Sequence, residues 1–121
     1  MVVVRFSEDI HRWIPDYFEK IRQGIKKQTI RRANAYQNLR VEDKVHCYST
    51  KKVPHRRPAL DEKLYEGICA EIDLVTWGEI KNDDNVAELD GFNNSEEMRK
   101  CFAEMYPNIK DSTPLKIIKW K

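Results

Sequence analysis

The order of strand-like and helix-like segments constrains the fold of this chain most. Segments that are β-branched or alternate apolar with polar residues are typical of strands. They lie at 2–6, 43–49, 65–74 and 115–120, with a shorter extended stretch at 29–32. Helical spacing and turn residues predict three helices between them, one ending near Gly24, a short one before Gly91 and one over 94–106. Strands and helices do not alternate regularly, so this order favours an α+β fold with a small curled or barrel-like sheet.

Two of these segments also predict which side chains form the core. In the first helix, Ile14, Phe18, Ile21 and Ile25 recur at helical spacing and form an apolar stripe. In the strand at 65–74, alternation predicts that one apolar face is buried. That face consists of Ile68, Ala70, Ile72 and Leu74. The segment 50–63, with two prolines and several basic residues, is predicted to be an exposed loop.

Size and charge define a general class of protein. The 121 residues suit one domain, 1–121, and the net charge of +2 comes from 22 basic and 20 acidic residues. The basic residues are concentrated at 26–32 and 51–57, whereas 71–97 is rich in acid, so one face of the molecule can be basic. Neither a membrane-spanning stretch nor a signal peptide is recognisable.

The three cysteines bear on the compartment. Cys47, Cys69 and Cys101 are odd in number, far apart and set in apolar segments. This pattern favours reduced, buried thiols and a cytoplasmic location.

The stretch Gly24–Arg32, GIKKQTIRR, is the first candidate site. One interpretation is a solvated helix end, where lysines complement the helix dipole. The other is an anion site, in which Lys26 supplies a point charge, Arg31 a planar fork and Thr29 a hydroxyl. A desolvated lysine beside a threonine also has the parts for covalent catalysis, because a lysine with a lowered pKa accepts the hydroxyl proton.

Four motifs carry a resemblance to a known family. GIKKQTIRR resembles the G-x-K-x-x-T-x-R signature of the ASCH domain, in the PUA-like superfamily. VEDKVHCY resembles the V-G-D strand entry of that family, with Glu42 where glycine is usual. LDGFNNSEEMRKCFAEMYP resembles its D-G-F motif and the following helix, and LKIIKW its closing strand. The order and spacing of these motifs cover nearly the whole chain.

The resemblance implies a small PUA-like β-barrel with two to three flanking helices around a cleft lined by the signature. It also implies an RNA-related role, because PUA-like domains commonly bind RNA or modified bases. Some bacterial members are amidohydrolases that act on N4-acetylcytidine with a lysine, a threonine and a glutamate. The first two correspond to Lys26 and Thr29 here. The nearest equivalent of the glutamate is Asp90, and Glu71 is a second candidate. Asp90 precedes a glycine, and an aspartate there is also typical of an Asp-Gly turn.

The second basic cluster has two interpretations of its own. Its residues form either a flexible solvated loop or a surface that binds the phosphates of a nucleic-acid backbone. They are Lys51, Lys52, His55, Arg56 and Arg57. Tyr48, on the polar face of its strand, is a candidate for stacking on a base.

We therefore expect an RNA-binding or modified-nucleotide-binding protein whose basic cleft is formed by Lys26, Thr29, Arg31 and Arg32, together with the second basic cluster and Tyr48. The alternative is an amidohydrolase that deacetylates N4-acetylcytidine-type nucleosides through Lys26, Thr29 and Asp90. A protein-interaction module without a nucleic-acid role is a third. No cofactor motif is present, the spacing of His46, Cys47 and His55 matches no zinc pattern, and no membrane partner is expected.

Overall fold

The computed structural model describes residues 2–121 as a mixed α+β fold, with a five-stranded sheet and four α-helices. The strands are β1 (Val2–Ser7), β2 (Gln28–Arg32), β3 (Lys44–Lys51), β4 (Ala59–Thr76) and β5 (Pro114–Trp120). The helices are α1 (Tyr17–Arg22), α2 (Trp77–Ile80), α3 (Asp84–Leu89) and α4 (Ser95–Met105), and a 3₁₀ turn spans Glu8–Arg12. No helix within residues 2–121 has the length and apolar character needed to cross a membrane.

The sheet has the order β1-β3-β4-β5-β2, and only the β1–β3 pairing is parallel. The long strand β4 pairs with β3 up to Ile68 and with β5 from Cys69 onward, so it joins two halves of the sheet. Within residues 2–121 the two end strands, β1 and β2, share no backbone pairing. The expected closed barrel is therefore not formed. In the described residues one side-chain hydrogen bond joins these strands, from Nη2 of Arg31 to the carbonyl of Arg5 at 2.6 Å.

The core lies between the concave side of the sheet and the helices. Val4, Val45 and Ile118 are buried on the sheet, and α4 contributes Met98 and Phe102. Asn94 caps α4 by accepting a hydrogen bond from the backbone N–H of Glu97 at 2.9 Å. The three cysteines are buried and unpaired, as predicted. The core also takes in Trp77 of α2, a short helix that the sequence patterns did not predict.

The predicted buried face of β4 is confirmed only at Ile72, which is partly buried and packs against the core. Ile68 and Leu74 are 37% and 72% exposed, whereas Leu64 and Cys69 face the core. The physical reason is a bulge between Cys69 and Glu71, where the register with β5 shifts. One extra residue in a strand moves the residues beyond it to the opposite face of the sheet. Simple alternation of buried and exposed side chains therefore does not hold along 65–74.

Two other boundaries differ from expectation. The helix α1 ends at Arg22, and Gly24 follows with a left-handed φ of 71°. Ile25 therefore lies beyond the helix and is 64% exposed instead of completing the apolar stripe. The predicted loop at 50–63 is shorter than expected, because β3 extends to Lys51 and β4 begins at Ala59.

The turn before β3 has an unusual backbone. Glu42 adopts φ 79°, a left-handed conformation that glycine accepts most readily. Its N–H donates to the carbonyl of Cys69 at 2.8 Å, so the turn is fixed against β4. The position where the sequence motif usually has glycine is thus one whose backbone favours glycine.

Candidate functional site

A cleft of about 500 Å³ opens between the end of β1, β2 and α4. Six aromatic rings form much of its wall. They belong to Phe6, Trp13, Tyr17, Phe92, Phe102 and Tyr106. Polar groups from Thr29, Arg31 and Asp90 line the same space. Clefts of this size, with apolar walls and a few convergent polar groups, are typical of sites for small organic ligands.

Asp90 lies in the cleft wall and is paired with Lys26 behind it. The ammonium of Lys26 lies 3.0 Å from Oδ1 of Asp90 and also donates to the carbonyl of Gln28. The Lys26 side chain is fully buried, and that of Asp90 is 8% exposed. The lysine ammonium also lies over the faces of Phe6 and Tyr17, at 5.8 and 5.1 Å from the ring centres, and these contacts favour its cationic form.

Local backbone geometry brings this pair together. After Gly24 ends α1, the N–H of Lys26 donates to the carbonyl of Lys20 at 3.0 Å, which turns the chain inward. On the other side, Asp90 ends α3 and Gly91 follows with φ 106°. A Cβ at Gly91 would lie 3.3 Å from Cδ1 of Ile14, so a side chain there is disfavoured both by φ and by contact.

Burial dominates the proton affinity of both partners. Desolvation lowers the pKa of Lys26, although the charge and hydrogen bond of Asp90 oppose that change. Desolvation likewise raises the pKa of Asp90, opposed by Lys26 and by a hydrogen bond from Gln28. Each group is thus moved toward its neutral form. Removing either one leaves the other buried without its compensating charge.

Arg31 organises the second polar part of the cleft. Its Nε donates to Oγ1 of Thr29 at 2.9 Å, and its Nη1 donates to the hydroxyl of Tyr36 at 3.3 Å. The guanidinium carbon lies 5.1 Å from the centre of the Phe6 ring. The Thr29 hydroxyl is therefore held by Arg31. Within residues 2–121, no hydrogen bond joins it to Lys26.

The structure brings together only part of the predicted site. Thr29, Arg31 and Asp90 line the cleft, Lys26 is buried behind Asp90, and Lys52 lies at the cleft mouth. Glu71, the second candidate carboxylate, is exposed and lies 3.6 Å from Lys119 instead.

The remaining predicted residues lie outside the cleft wall. Arg32 is exposed and covers the Tyr106 ring at 4.8 Å, beside a small neighbouring pocket of about 50 Å³. Tyr48 is half-buried on β3. The loop residues Lys51, His55, Arg56 and Arg57 are exposed. These side chains therefore lie in solvent, as the solvated-loop interpretation expects.

Sequence reasoning missed Arg5 and Trp13 at the site. Arg5 carried a signal, since a single charge interrupts the apolar strand VVVRF. Trp13 is only partly buried and forms part of the wall, and its neighbours in sequence do not indicate this. Tyr36 has φ 50°, and nothing in the local pattern indicates that its hydroxyl meets Arg31.

Two ion pairs lie at the mouth of the cleft. Lys52 lies 3.0 Å from Asp9, and Arg12 pairs with Glu104. All four side chains line the opening and are about half exposed or more. Elsewhere, His46 pairs with Glu66 at 3.1 Å, and no group of three or more potential metal ligands is found within residues 2–121.

The chain matches no protein-family model, no curated protein and no solved structure.

Proposed function

We propose that this chain is an ASCH-type, PUA-like domain protein whose cleft binds a nucleobase, either in RNA or as a modified nucleotide. The observation that carries the proposal is the aromatic cleft with the buried Lys26–Asp90 pair in its wall. The left-handed backbone at Glu42, where the family motif has glycine, supports the resemblance. The open pairing of β1 and β2 departs from a closed barrel, so the PUA-like assignment depends on the order of motifs.

The chemistry of the cleft suits a flat heteroaromatic ring. The partly exposed rings of Trp13 and Tyr106 in the cleft wall offer apolar faces for a base, and unstacked bases are commonly held in this way. The carboxylate of Asp90 accepts hydrogen bonds from an amine or ring N–H. Lys26 keeps that carboxylate in place from behind, at 3.0 Å. A pyrimidine that presents an N–H donor meets both requirements.

The loop at 52–58 supplies a second contact for longer ligands. Lys52 lies at the cleft mouth, and Arg56 and Arg57 are exposed beyond it. Basic side chains in such a position bind a phosphate backbone without reading its sequence. A base in the cleft and a backbone along the loop together describe a single-stranded RNA ligand.

Calorimetric titration tests the base-binding role. The wild-type protein and Asp90→Asn are each titrated with N4-acetylcytidine, with cytidine and with a short pyrimidine RNA. We expect Asp90→Asn to weaken nucleoside binding about tenfold, since it removes a charged acceptor. The control Asp61→Asn changes an exposed carboxylate of β4 and is expected to bind normally. Equal affinity of Asp90→Asn and wild type for every ligand would refute the assignment of the base to this cleft.

Hydrolysis of an N4-acetyl group is the second candidate, because Thr29 and Asp90 line one cleft and Lys26 is bonded to Asp90 behind its wall. In that reaction the Thr29 oxygen attacks the acetyl carbon and its proton passes to neutral Lys26. The C–N bond then breaks as Lys26 or Asp90 returns a proton to the leaving amine. Water next cleaves the acetyl-threonine ester to give acetate and restore the hydroxyl. Lys26 must first leave its bonds to Asp90 and Gln28, since it makes none to Thr29.

Release of acetate from N4-acetylcytidine, followed by proton NMR, tests this second candidate. We expect wild type to release acetate and Thr29→Val to release none, while Thr29→Ser retains part of the rate. If wild type binds the nucleoside and releases no acetate over hours, hydrolysis is refuted and base binding stands.

A further inference from the structure

Two arginines that line the cleft have no acidic partner. Within residues 2–121, neither Arg5 nor Arg31 has a carboxylate oxygen within 4.0 Å of its guanidinium. Both side chains belong to residues that are only partly exposed. A partly desolvated cation without a counter-charge favours binding of an anion, because the anion restores the charge balance that burial removes.

Arg31 is held rigidly but keeps free hydrogen-bonding capacity. Its three assigned bonds go to Oγ1 of Thr29, the hydroxyl of Tyr36 and the carbonyl of Arg5, all neutral acceptors. A guanidinium has five N–H donors, so two are left for a ligand. Its position over the Phe6 ring further restricts its movement. Such a guanidinium is pre-organised, and little side-chain entropy is lost when it binds an anion.

The Arg5 side chain keeps most of its hydrogen-bond donors free. Its side chain makes one hydrogen bond, from Nη1 to the carbonyl of Pro58 at 3.2 Å. That contact fixes the arginine against the end of the basic loop, while its residue lines the cleft. Its backbone carbonyl also accepts the Arg31 bond, so this bond joins the two end strands of the sheet, and both arginines line the cleft.

The other two cations at the cleft differ in this respect. Lys52 is paired with Asp9, and Arg12 is paired with Glu104. Their charges are already compensated in the free protein. A ligand anion gains less from these two residues, since binding them requires that an existing pair be broken.

We propose that Arg5 and Arg31 form a phosphate subsite of the cleft, so that its ligand is a phosphorylated nucleotide or an RNA strand rather than a free nucleoside. The inference rests on the proposed function, because it assigns the phosphate to the same ligand whose base meets Asp90. A guanidinium donates two parallel hydrogen bonds to a pair of phosphate oxygens. A phosphate in the cleft would therefore accept hydrogen bonds from the two free donors of Arg31 and from Arg5.

The experiment uses nitrogen-15-labelled protein and four probes, with chemical shifts of the arginine Nε–H groups as the readout. The probes are inorganic phosphate, cytidine, cytidine monophosphate and a cytidine dinucleotide. We expect inorganic phosphate alone to shift the Nε–H signals of Arg5 and Arg31. We expect the monophosphate to bind about tenfold more tightly than cytidine, and Arg5→Gln to remove that advantage. Arg40→Gln, which removes one exposed charge outside the cleft, is the matched control.

The outcomes separate the subsite from the base pocket. If cytidine binds, but neither phosphate nor Arg5→Gln changes anything, the phosphate subsite is refuted and the base pocket stands. If inorganic phosphate shifts both arginines and cytidine does not bind, the subsite is supported and the base pocket is refuted. A monophosphate that binds as well as the dinucleotide indicates a free nucleotide as ligand, and a much tighter dinucleotide indicates a strand. No shift at either arginine with any phosphorylated probe overturns the proposal.

Discussion

The two basic clusters of this chain look alike in sequence and have opposite surroundings in the fold. In the stretch 24–32, the ammonium of Lys26 and the hydroxyl of Thr29 are buried, and Arg31 makes three hydrogen bonds. In the loop at 52–58, the basic side chains are exposed, and Lys52 makes a surface pair with Asp9. The buried residues of the first cluster therefore contribute to the fold and to the candidate site, whereas the second cluster is a solvated surface.

This difference shows what decides the role of a charge. A buried lysine is retained only with compensation, which here comes from Asp90, a carbonyl and two aromatic faces. An exposed arginine needs none. We therefore expect changes at the buried residues of the first cluster to affect folding and ligand binding together, and changes in the second cluster to affect only the binding of long anionic ligands.

The largest expected effect comes from Lys26→Met. This change leaves Asp90 buried without its partner, and breaking a buried pair costs about 3 kcal/mol of the free energy of unfolding. Lys27→Met, which changes the exposed neighbour, is the control and is expected to stay within about 0.5 kcal/mol of wild type. Urea unfolding of the three proteins measures both values. Equal losses in the two variants would contradict the contrast between buried and exposed lysines.

The loss in Lys26→Met is expected to depend on pH. Burial raises the pKa of Asp90 above 3.8, and removing Lys26 raises it further. A carboxyl with a raised folded-state pKa stabilises the fold below its unfolded value, and this contribution is lost as the pH rises through the folded pKa. Unfolding at pH 4 and pH 7 should therefore show a smaller difference between variant and wild type in acid. A difference that is equal or larger in acid would mean that Asp90 does not carry the effect.

The double change Arg56→Gln and Arg57→Gln has a smaller effect, on binding alone. We expect the free energy of unfolding to stay within about 0.5 kcal/mol of wild type, because both side chains are exposed. The slope of log affinity for RNA against log salt should fall by roughly 1 to 2, since each lost phosphate contact contributes up to about one unit. Arg40→Gln with Lys44→Gln removes two exposed charges elsewhere. If both doubles reduce the slope equally, the loop has no special role.

The smallest expected effect is that of His55→Gly in the loop. His55 has φ 61°, a conformation that costs a residue with a Cβ about 1 kcal/mol. Glycine relieves this cost but gains freedom in the unfolded chain, so we expect a change of less than about 1 kcal/mol. Thermal unfolding measures it. A large loss of stability would show that the loop, like the first cluster, is part of the folded framework.

Much of the fold could be predicted from local pattern. The strand Val2–Ser7 and the helix Ser95–Met105 have the composition and capping that their elements require. The buried face of β4 could not be predicted, because a bulge at Cys69 reverses it and depends on pairing with β5. The open edge between β1 and β2 is likewise a property of the assembled sheet.

The candidate site shows the same division. The family resemblance led us to expect the signature residues near the turn residue Asp90. Thr29, Arg31 and Asp90 do line one cleft, and Lys26 is bonded to Asp90 behind its wall. Arg5 was not expected there, since its place in the cleft depends on the parallel pairing of β1 with β3. Sequence alone also could not show that Lys26 bonds to Asp90 and not to Thr29.

The most direct test of base binding in the cleft is a search for NMR contacts between N4-acetylcytidine and the protein. We expect nuclear Overhauser effects from the base protons to the rings of Trp13 and Tyr106, and their loss in Asp90→Asn. Contacts confined to the loop at 52–58, or binding that persists unchanged in Asp90→Asn, would contradict it.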